Sequence, residues 1–212
     1  AMYCNTTGNY NVAVGQSSMY KNVSGSWNTA LGFDSMSCNV GGCYNTALGR
    51  KAMCCNTYGN CNAAGGNHAL SSNTTGCENV AFGYAPMLNN TTGKWNTAMG
   101  SFSLYNNTTA CYNTSVGRQS LFSTTTGKQN TAIGNRSLYS NTTASYNTGL
   151  GDHAGFGITS GTRNTTVGHA SMQCTSTGDD NVAVGHYSLH CNTTANQNVA
   201  VGACSLMSNL TG

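Results

Sequence analysis

Three residues with metal-ligand chemistry recur at one fixed spacing. Asp152, His169 and His186 follow one another at intervals of 17 residues. Divalent metal ions bind two imidazoles and a carboxylate when folding brings such side chains together. An exposed column that tolerates polar residues explains the same pattern, and this is the interpretation we adopt. The sequence therefore predicts neither a metal ion nor a cofactor, and this trio is the candidate that a structure must test.

Cysteine is the second reactive residue type, with eleven copies in the chain. Stacking at the interstrand distance of about 4.8 Å brings Cα atoms within disulfide range. We predict three bonds between successive repeats: Cys38 with Cys55, Cys174 with Cys191, and Cys61 with Cys77. The odd number leaves at least one thiol free or bonded to another chain. So many cysteines favour an oxidising compartment, and we predict an extracellular, cell-surface or virion location.

Asparagine occurs repeatedly in the acceptor pattern for N-glycosylation, Asn-x-Ser/Thr. The candidate acceptors are Asn5, Asn22, Asn73, Asn90, Asn107, Asn141, Asn192 and Asn209. The alternative is that the repeat simply contains the tripeptide Asn-Thr-Thr for structural reasons, and the sequence leaves both interpretations open.

Aromatic residues form a partial stripe at one position of the repeat. Its members are Tyr10, Trp27, Tyr44, Trp95, Tyr112 and Tyr146. Tyr and Trp offer a large contact area together with a polar group. We predict an assembly surface for neighbouring chains here; stacking that only clamps the corners of the fold, and binding of surface glycans, are the alternatives.

Sequence signatures of enzymes are missing. The chain contains no Gly-x-Ser-x-Gly elbow, no phosphate-binding loop and no His-Glu-x-x-His motif. Only five acidic residues are present. The chain is predicted not to be an enzyme. Its net charge of +3 comes from scattered residues, which predicts no nucleic-acid partner. The sequence contains no apolar run of about eighteen residues, which is the length that predicts a membrane span.

A repeat of 17 residues must position all of these side chains. Its first residue is Asn at positions 11, 28, 45, 62, 79, 96, 113, 130, 147, 164, 181 and 198, and Gly follows four residues later every time. Residues 1–10 form a partial repeat. We therefore predict a single repeat domain spanning residues 1–212.

Seventeen residues are too few for a pair of packed helices, the unit of helical solenoids. The segment Asn-Thr/Val-Ala-aliphatic-Gly alternates as a strand does. The predicted fold is all-β, a parallel β-solenoid of about twelve coils with Asn side chains bonded along the axis. We expect the fourth position (for example Val14 and Leu31) and the ninth (Met19 and Met36) to form the core, with positions six, seven and sixteen exposed.

Segments such as NTAMGSFSLYNNTTA (96–110) and NTAIGNRSLYSNTTA (130–144) resemble repeats of phage and large-virus tail-fibre-like proteins. More distantly, they are similar to the head repeats of trimeric autotransporter adhesins. The resemblance covers the whole chain and implies a rigid stalk or an adhesive surface.

Two functions fit these features. The leading hypothesis is a structural or adhesive fibre protein that assembles with copies of itself into a filament or spike. The alternative is an ice-binding solenoid, because Thr columns such as Thr29, Thr46 and Thr97 would present a regular lattice. Thermal hysteresis separates the two.

Overall fold

A computed structural model describes residues 1–209, and every regular element in them is a β-strand. Each strand has three residues and begins at the second position of a repeat. The strands are β1 (Val12–Val14), β2 (Thr29–Leu31), β3 (Thr46–Leu48), β4 (Ala63–Gly65), β5 (Val80–Phe82), β6 (Thr97–Met99), β7 (Thr114–Val116), β8 (Thr131–Ile133), β9 (Thr148–Leu150), β10 (Thr165–Val167), β11 (Val182–Val184) and β12 (Val199–Val201).

The chain comprises two compact units. The N-terminal unit, Ala1–Thr109, contains β1 to β6, and the C-terminal unit, Ala110–Gly212, contains β7 to β12. Within each unit, consecutive strands pair in parallel, and equivalent positions of neighbouring repeats face each other: Thr29 pairs with Thr46, and Thr148 with Thr165. The predicted parallel β-solenoid of 17-residue coils is confirmed.

The core of each coil is narrow and contains one large side chain. Met and Leu at the ninth position, such as Met36 and Leu138, are fully buried, as predicted, except for Leu206 in the last repeat, which is 47% exposed. Ala at the third position, such as Ala30 and Ala132, is also fully buried. The inner surface of most strands is therefore lined by Ala methyl groups, against which the ninth side chain packs; β7, β9 and β10 have Ser115, Gly149 and Thr166 there.

The prediction that the fourth position is buried was wrong. Val14, Leu31 and Ile133 are 54%, 49% and 44% exposed. Alternation along the strand was identified correctly, but the faces were exchanged, because alternation alone does not say which face is inside. The ninth side chain already fills the interior of this small coil, so the strand can present only small Ala residues inward and its aliphatic residues point outward.

Left-handed backbone conformations close the coil in 17 residues. The invariant Gly at position five has φ between +116° and +137°, a region that side chains rarely enter. Non-glycine residues also take positive φ at positions seven, nine and seventeen, for example Ser17, Met19 and Trp27. Each such residue costs roughly 1–2 kcal/mol, so the packing and hydrogen bonds between coils must outweigh a repeated local penalty.

Two ladders of buried Asn side chains supply much of that compensation. In the first, at position one, the Asn28 Nδ2 donates to Asn11 Oδ1 at 3.2 Å and to Gly42 O at 2.8 Å. In the second, at position twelve, the Asn39 Nδ2 donates to Asn22 Oδ1 at 2.6 Å and to Gly42 O at 3.0 Å. Buried amides are thus paired along the axis, which confirms the predicted Asn ladder at position one.

The Asn-Thr-Thr segment has a structural role. One carbonyl, Thr74 O, accepts from three successive backbone N–H groups of the preceding repeat, those of Thr57, Tyr58 and Gly59, at 3.0, 3.1 and 3.2 Å. The Thr57 hydroxyl also donates to this oxygen, at 2.9 Å. Thr at position thirteen therefore stabilises the turn, and its hydroxyl hydrogen-bonds to the next coil.

Candidate functional site

The outward surface of the strands is the broadest candidate site. We call the residues at positions two and four of every repeat the sheet face. Thr, Val or Ala fills position two, and Val, Leu, Ile, Met, Phe or Gly fills position four; no Asp, Glu, Lys or Arg occurs at either. A surface of exposed apolar side chains without charge is unusual on a soluble domain and typically marks a binding surface.

One irregularity of the sheet face is filled by its neighbour. Gly65 lacks the aliphatic side chain of position four, and a Cβ there would lie 2.4 Å from ring carbons of Phe82, the residue paired with it in the next repeat. The Phe82 ring therefore occupies the space above Gly65. The apolar surface continues across this position.

Threonine makes part of the sheet face regular. In the C-terminal unit four consecutive repeats carry half-buried Thr at position two, and Val, Ile or Leu at position four. These Thr residues are Thr114, Thr131, Thr148 and Thr165. One hydroxyl and one aliphatic group thus recur at the spacing of the strands, about 4.8 Å.

Exposed aromatic residues form a second candidate surface at position seventeen. Tyr10, Trp27 and Tyr44 stack, with ring centroids 5.3 and 5.0 Å apart. The other predicted members, Trp95, Tyr112 and Tyr146, are also exposed. Stacking along the column is therefore present, and the predicted contact with other chains remains a prediction.

The predicted acid-imidazole trio does not form a ligand cluster. Asp152 accepts a hydrogen bond from Asn135 Nδ2 at 2.8 Å and lies 2.9 Å from His153 Nδ1. These two hydrogen bonds, that from His153 first, lower the pKa of Asp152 below its ordinary value. His169 Nε2 is 3.5 Å from Asp152, but the His169 and His186 rings stack with centroids 5.3 Å apart. The carboxylate is thus held by its neighbours.

Two of the three predicted cysteine pairs lie close together, Cys38 with Cys55 and Cys174 with Cys191. All eleven are thiols in this structure, so the three disulfide bonds remain predictions. Near Cys38, the sulfurs of Cys54 and Cys55 are 3.5 Å apart. Burial, followed by the Cys54 thiol and the charges of Cys54 and Cys38, raises the pKa of Cys55 to about 11. Cys61 and Cys77 occupy neighbouring columns, exposed and half-buried respectively.

A different set of ligand atoms does converge, in the C-terminal unit. Cys174 Sγ, Cys191 Sγ and a ring nitrogen of His190 all lie within 4.8 Å of one another. Among residues 1–209, this is the one group of three or more His, Cys, Asp or Glu side chains close enough to share a metal ion. Sequence reasoning paired Cys174 with Cys191 but missed His190, although the His-Cys dipeptide one repeat after Cys174 was the available signal.

Most predicted glycosylation acceptors are inaccessible. Asn22, Asn73, Asn90, Asn107, Asn141 and Asn192 are fully buried at position twelve. No glycan fits on a side chain inside the coil, so the prediction was wrong for these six. Asn5 and Asn209 are partly exposed.

Comparison of this chain with known proteins finds no relative. No family model, curated protein or solved structure matches this chain. The resemblance to fibre repeats therefore remains a prediction. Within the described residues, no helix is long and apolar enough to cross a membrane.

Proposed function

We propose that this chain is a structural protein that assembles with copies of itself, side by side, into a fibre or spike. The observation that carries the proposal is the sheet face, which exposes aliphatic side chains and contains no charged residue. Such a face gains free energy when it is covered, roughly 25 cal/mol for each Å² of apolar surface removed from water.

The composition of the chain favours association with itself. Only 6% of the residues are charged, so copies repel one another weakly. The aromatic residues at position seventeen immediately precede the strand segment of the next repeat, and their exposed rings extend the apolar area. The same surface on each copy provides a self-complementary contact.

A second candidate function, ice binding, is favoured by a separate observation. In β7 to β10, half-buried Thr hydroxyls alternate with aliphatic groups at the regular strand spacing. A rigid lattice of hydroxyl and methyl groups without charge is suited to ordered water. The Thr residues at position thirteen do not contribute, because hydroxyls such as that of Thr57 donate to a backbone carbonyl of the next coil.

The location we propose for the fibre is extracellular, at a cell surface or on a virion. The assembly surface of the fibre is also the place where glycans would bind. The resemblance to viral fibre repeats and the eleven cysteines support this proposal. Detection of the chain in purified particles or in the culture medium, and not inside cells, tests it.

Sedimentation velocity of the full chain over a range of concentrations tests the assembly. We expect association that is abolished by Leu31→Lys combined with Ile133→Lys, which places one charge on the sheet face of each unit. Ser24→Lys combined with Thr143→Lys is the matched control, because these residues are exposed in turns away from the strands. A wild-type chain that stays monomeric at every concentration contradicts the proposal, and thermal hysteresis in the same sample would establish ice binding instead.

A further inference from the structure

Backbone hydrogen bonds between neighbouring repeats hold Cys174 and Cys191 in register. Both lie at position eleven of successive repeats. The Cys174 N–H donates to His190 O at 2.9 Å, and the Cys191 N–H donates to Met207 O at 3.0 Å. The coil backbone thus fixes both sulfur-bearing residues on the same side of the C-terminal unit.

His190 directs one ring nitrogen toward these sulfurs. Its Nδ1 is 3.2 Å from Cys191 Sγ, and its Nε2 is 2.9 Å from Gln173 Oε1. Because an amide oxygen only accepts hydrogen bonds, Nε2 carries the proton and donates it to Gln173. Nδ1 is then left with its lone pair facing the cluster, the tautomer that binds a metal ion.

We propose that Cys174, His190 and Cys191 form a binding site for a thiophilic metal ion such as Zn²⁺. Two thiolates and one imidazole are a known zinc ligand set, with the fourth position open to water or an external ligand. Tetrahedral zinc requires neighbouring ligand atoms roughly 3.5–3.8 Å apart, and these three atoms lie within 4.8 Å of one another. Small side-chain rotations therefore complete the site, and binding releases the two thiol protons to solvent.

The residues at position ten suggest that Cys174, His190 and Cys191 did not come together by chance. In the same unit, position ten of the three preceding repeats holds Phe122, Tyr139 and Phe156, and the last two form a stack with centroids 5.0 Å apart. Gln173 and His190 replace aromatics in the two repeats that carry the cysteines. A disulfide between Cys174 and Cys191 requires neither of these replacements. The Cys38, Cys54 and Cys55 cluster has no imidazole and lies near Lys51, so it serves as an internal comparison.

Co²⁺ is the probe, because its thiolate complexes absorb in the near ultraviolet and its d–d bands report tetrahedral coordination. The full chain is reduced, freed of metal and titrated with Co²⁺, which is then displaced by Zn²⁺. We expect a thiolate-bound Co²⁺ that is lost in Cys174→Ser and Cys191→Ser. Affinity falls at least 10-fold in His190→Ala, and about 10- to 100-fold in Gln173→Ala, whereas Gln173→Glu, which keeps the acceptor, retains binding.

The control is Cys38→Ser combined with Cys55→Ser, which leaves the site intact and must retain the Co²⁺ spectrum. All substituted side chains are at least partly exposed, and the circular dichroism of each variant verifies its fold. A Co²⁺ spectrum without thiolate absorption, or one that survives loss of Cys174 and Cys191, overturns the proposal. Self-association of the chain is measured separately and bears on neither outcome.

Discussion

Ile158 fills the space that Gly155 leaves in the core of its coil. A Cβ on Gly155 would lie 3.1 Å from Ile158 Cδ1 and 2.7 Å from Leu138 Cδ2. Both residues depart from the repeat: Gly replaces Leu or Met at position nine, and Ile replaces Asn at position twelve. The substitution of Ile has a cost, since Ile158 cannot donate to the buried Asn141 Oδ1 of the preceding repeat, which has no hydrogen-bond partner.

This compensation predicts strong coupling between the two positions. Gly155→Leu alone overfills the core and should lower the free energy of unfolding by about 1–3 kcal/mol. Ile158→Asn alone leaves a cavity and should cost about 2–5 kcal/mol. The double variant removes the contact with Ile158 and should lose less stability than the sum of the two single changes, although its new Cβ still meets Thr166 Cγ2 at 2.9 Å. Urea denaturation of the four proteins measures the coupling, and additive losses would contradict it.

The exchanged strand faces give a second prediction. Leu138→Asp buries a carboxylate in a fully buried position and should cost several kcal/mol. Ile133→Asp, in the same repeat but 44% exposed, should change stability by less than about 1 kcal/mol. Thermal unfolding of both variants distinguishes them, and equal losses would place position four back in the core.

Sequence periodicity was sufficient to predict the coil, the strand and the Asn ladder at position one, because each of these features depends on residue type and spacing alone. It was insufficient for the inner face, since Ala30 and Leu31 are both apolar and only the width of the coil decides which points inward. It also missed the Asn ladder at position twelve, where Asn22 is buried, and read its members as glycan acceptors. The convergence of His190 with the two cysteines escaped notice because it depends on a side-chain direction that spacing does not encode, although the His-Cys dipeptide was visible in the sequence.

Glycine at position five provides a third prediction. Gly49 has φ +130°, and a Cβ there would lie 2.6 Å from Gly66 O. Gly49→Ala should therefore destabilise the chain by at least about 1–3 kcal/mol. Gly41→Ala is the control, since Gly41 is not left-handed and its added Cβ would meet only the side chains of Tyr58 and Ser24, at 3.1 Å and beyond. Their unfolding midpoints should differ clearly, and similar midpoints would refute the backbone argument.

The interior ladder gives a prediction that depends on pH. Asn56 Nδ2 donates to Asn39 Oδ1 at 2.8 Å and to Gly59 O at 3.0 Å. Asn56→Asp places a carboxylate against two acceptors, so burial should raise its pKa in the folded state above the unfolded value of about 3.9. The protonated acid supplies one donor again. The loss of stability relative to wild type should thus be smallest below about pH 4 and grow as the pH rises through the raised pKa.

Chemical denaturation from pH 3 to pH 8 measures this dependence for Asn56→Asp. The exposed Asn9→Asp variant should follow the wild type at each pH, because its carboxylate remains in water. The chain has five acidic residues and five His that titrate in this range, so the wild-type dependence on pH is measured in parallel and subtracted. A loss for Asn56→Asp that does not change with pH would show that the carboxylate is solvated.

Each Asn ladder has a direction along the chain. Wherever two of these Asn side chains bond to each other, the amide of the later repeat donates to the oxygen of the earlier one, as Asn39 does to Asn22 and Asn181 to Asn164. Any cross-section through such a ladder therefore leaves acceptors on the N-terminal side and donors on the C-terminal side. A second copy can continue the ladder only head to tail, and this contact repeats without closing on itself. Growth at such a cross-section would be polar, with chemically distinct leading and trailing faces.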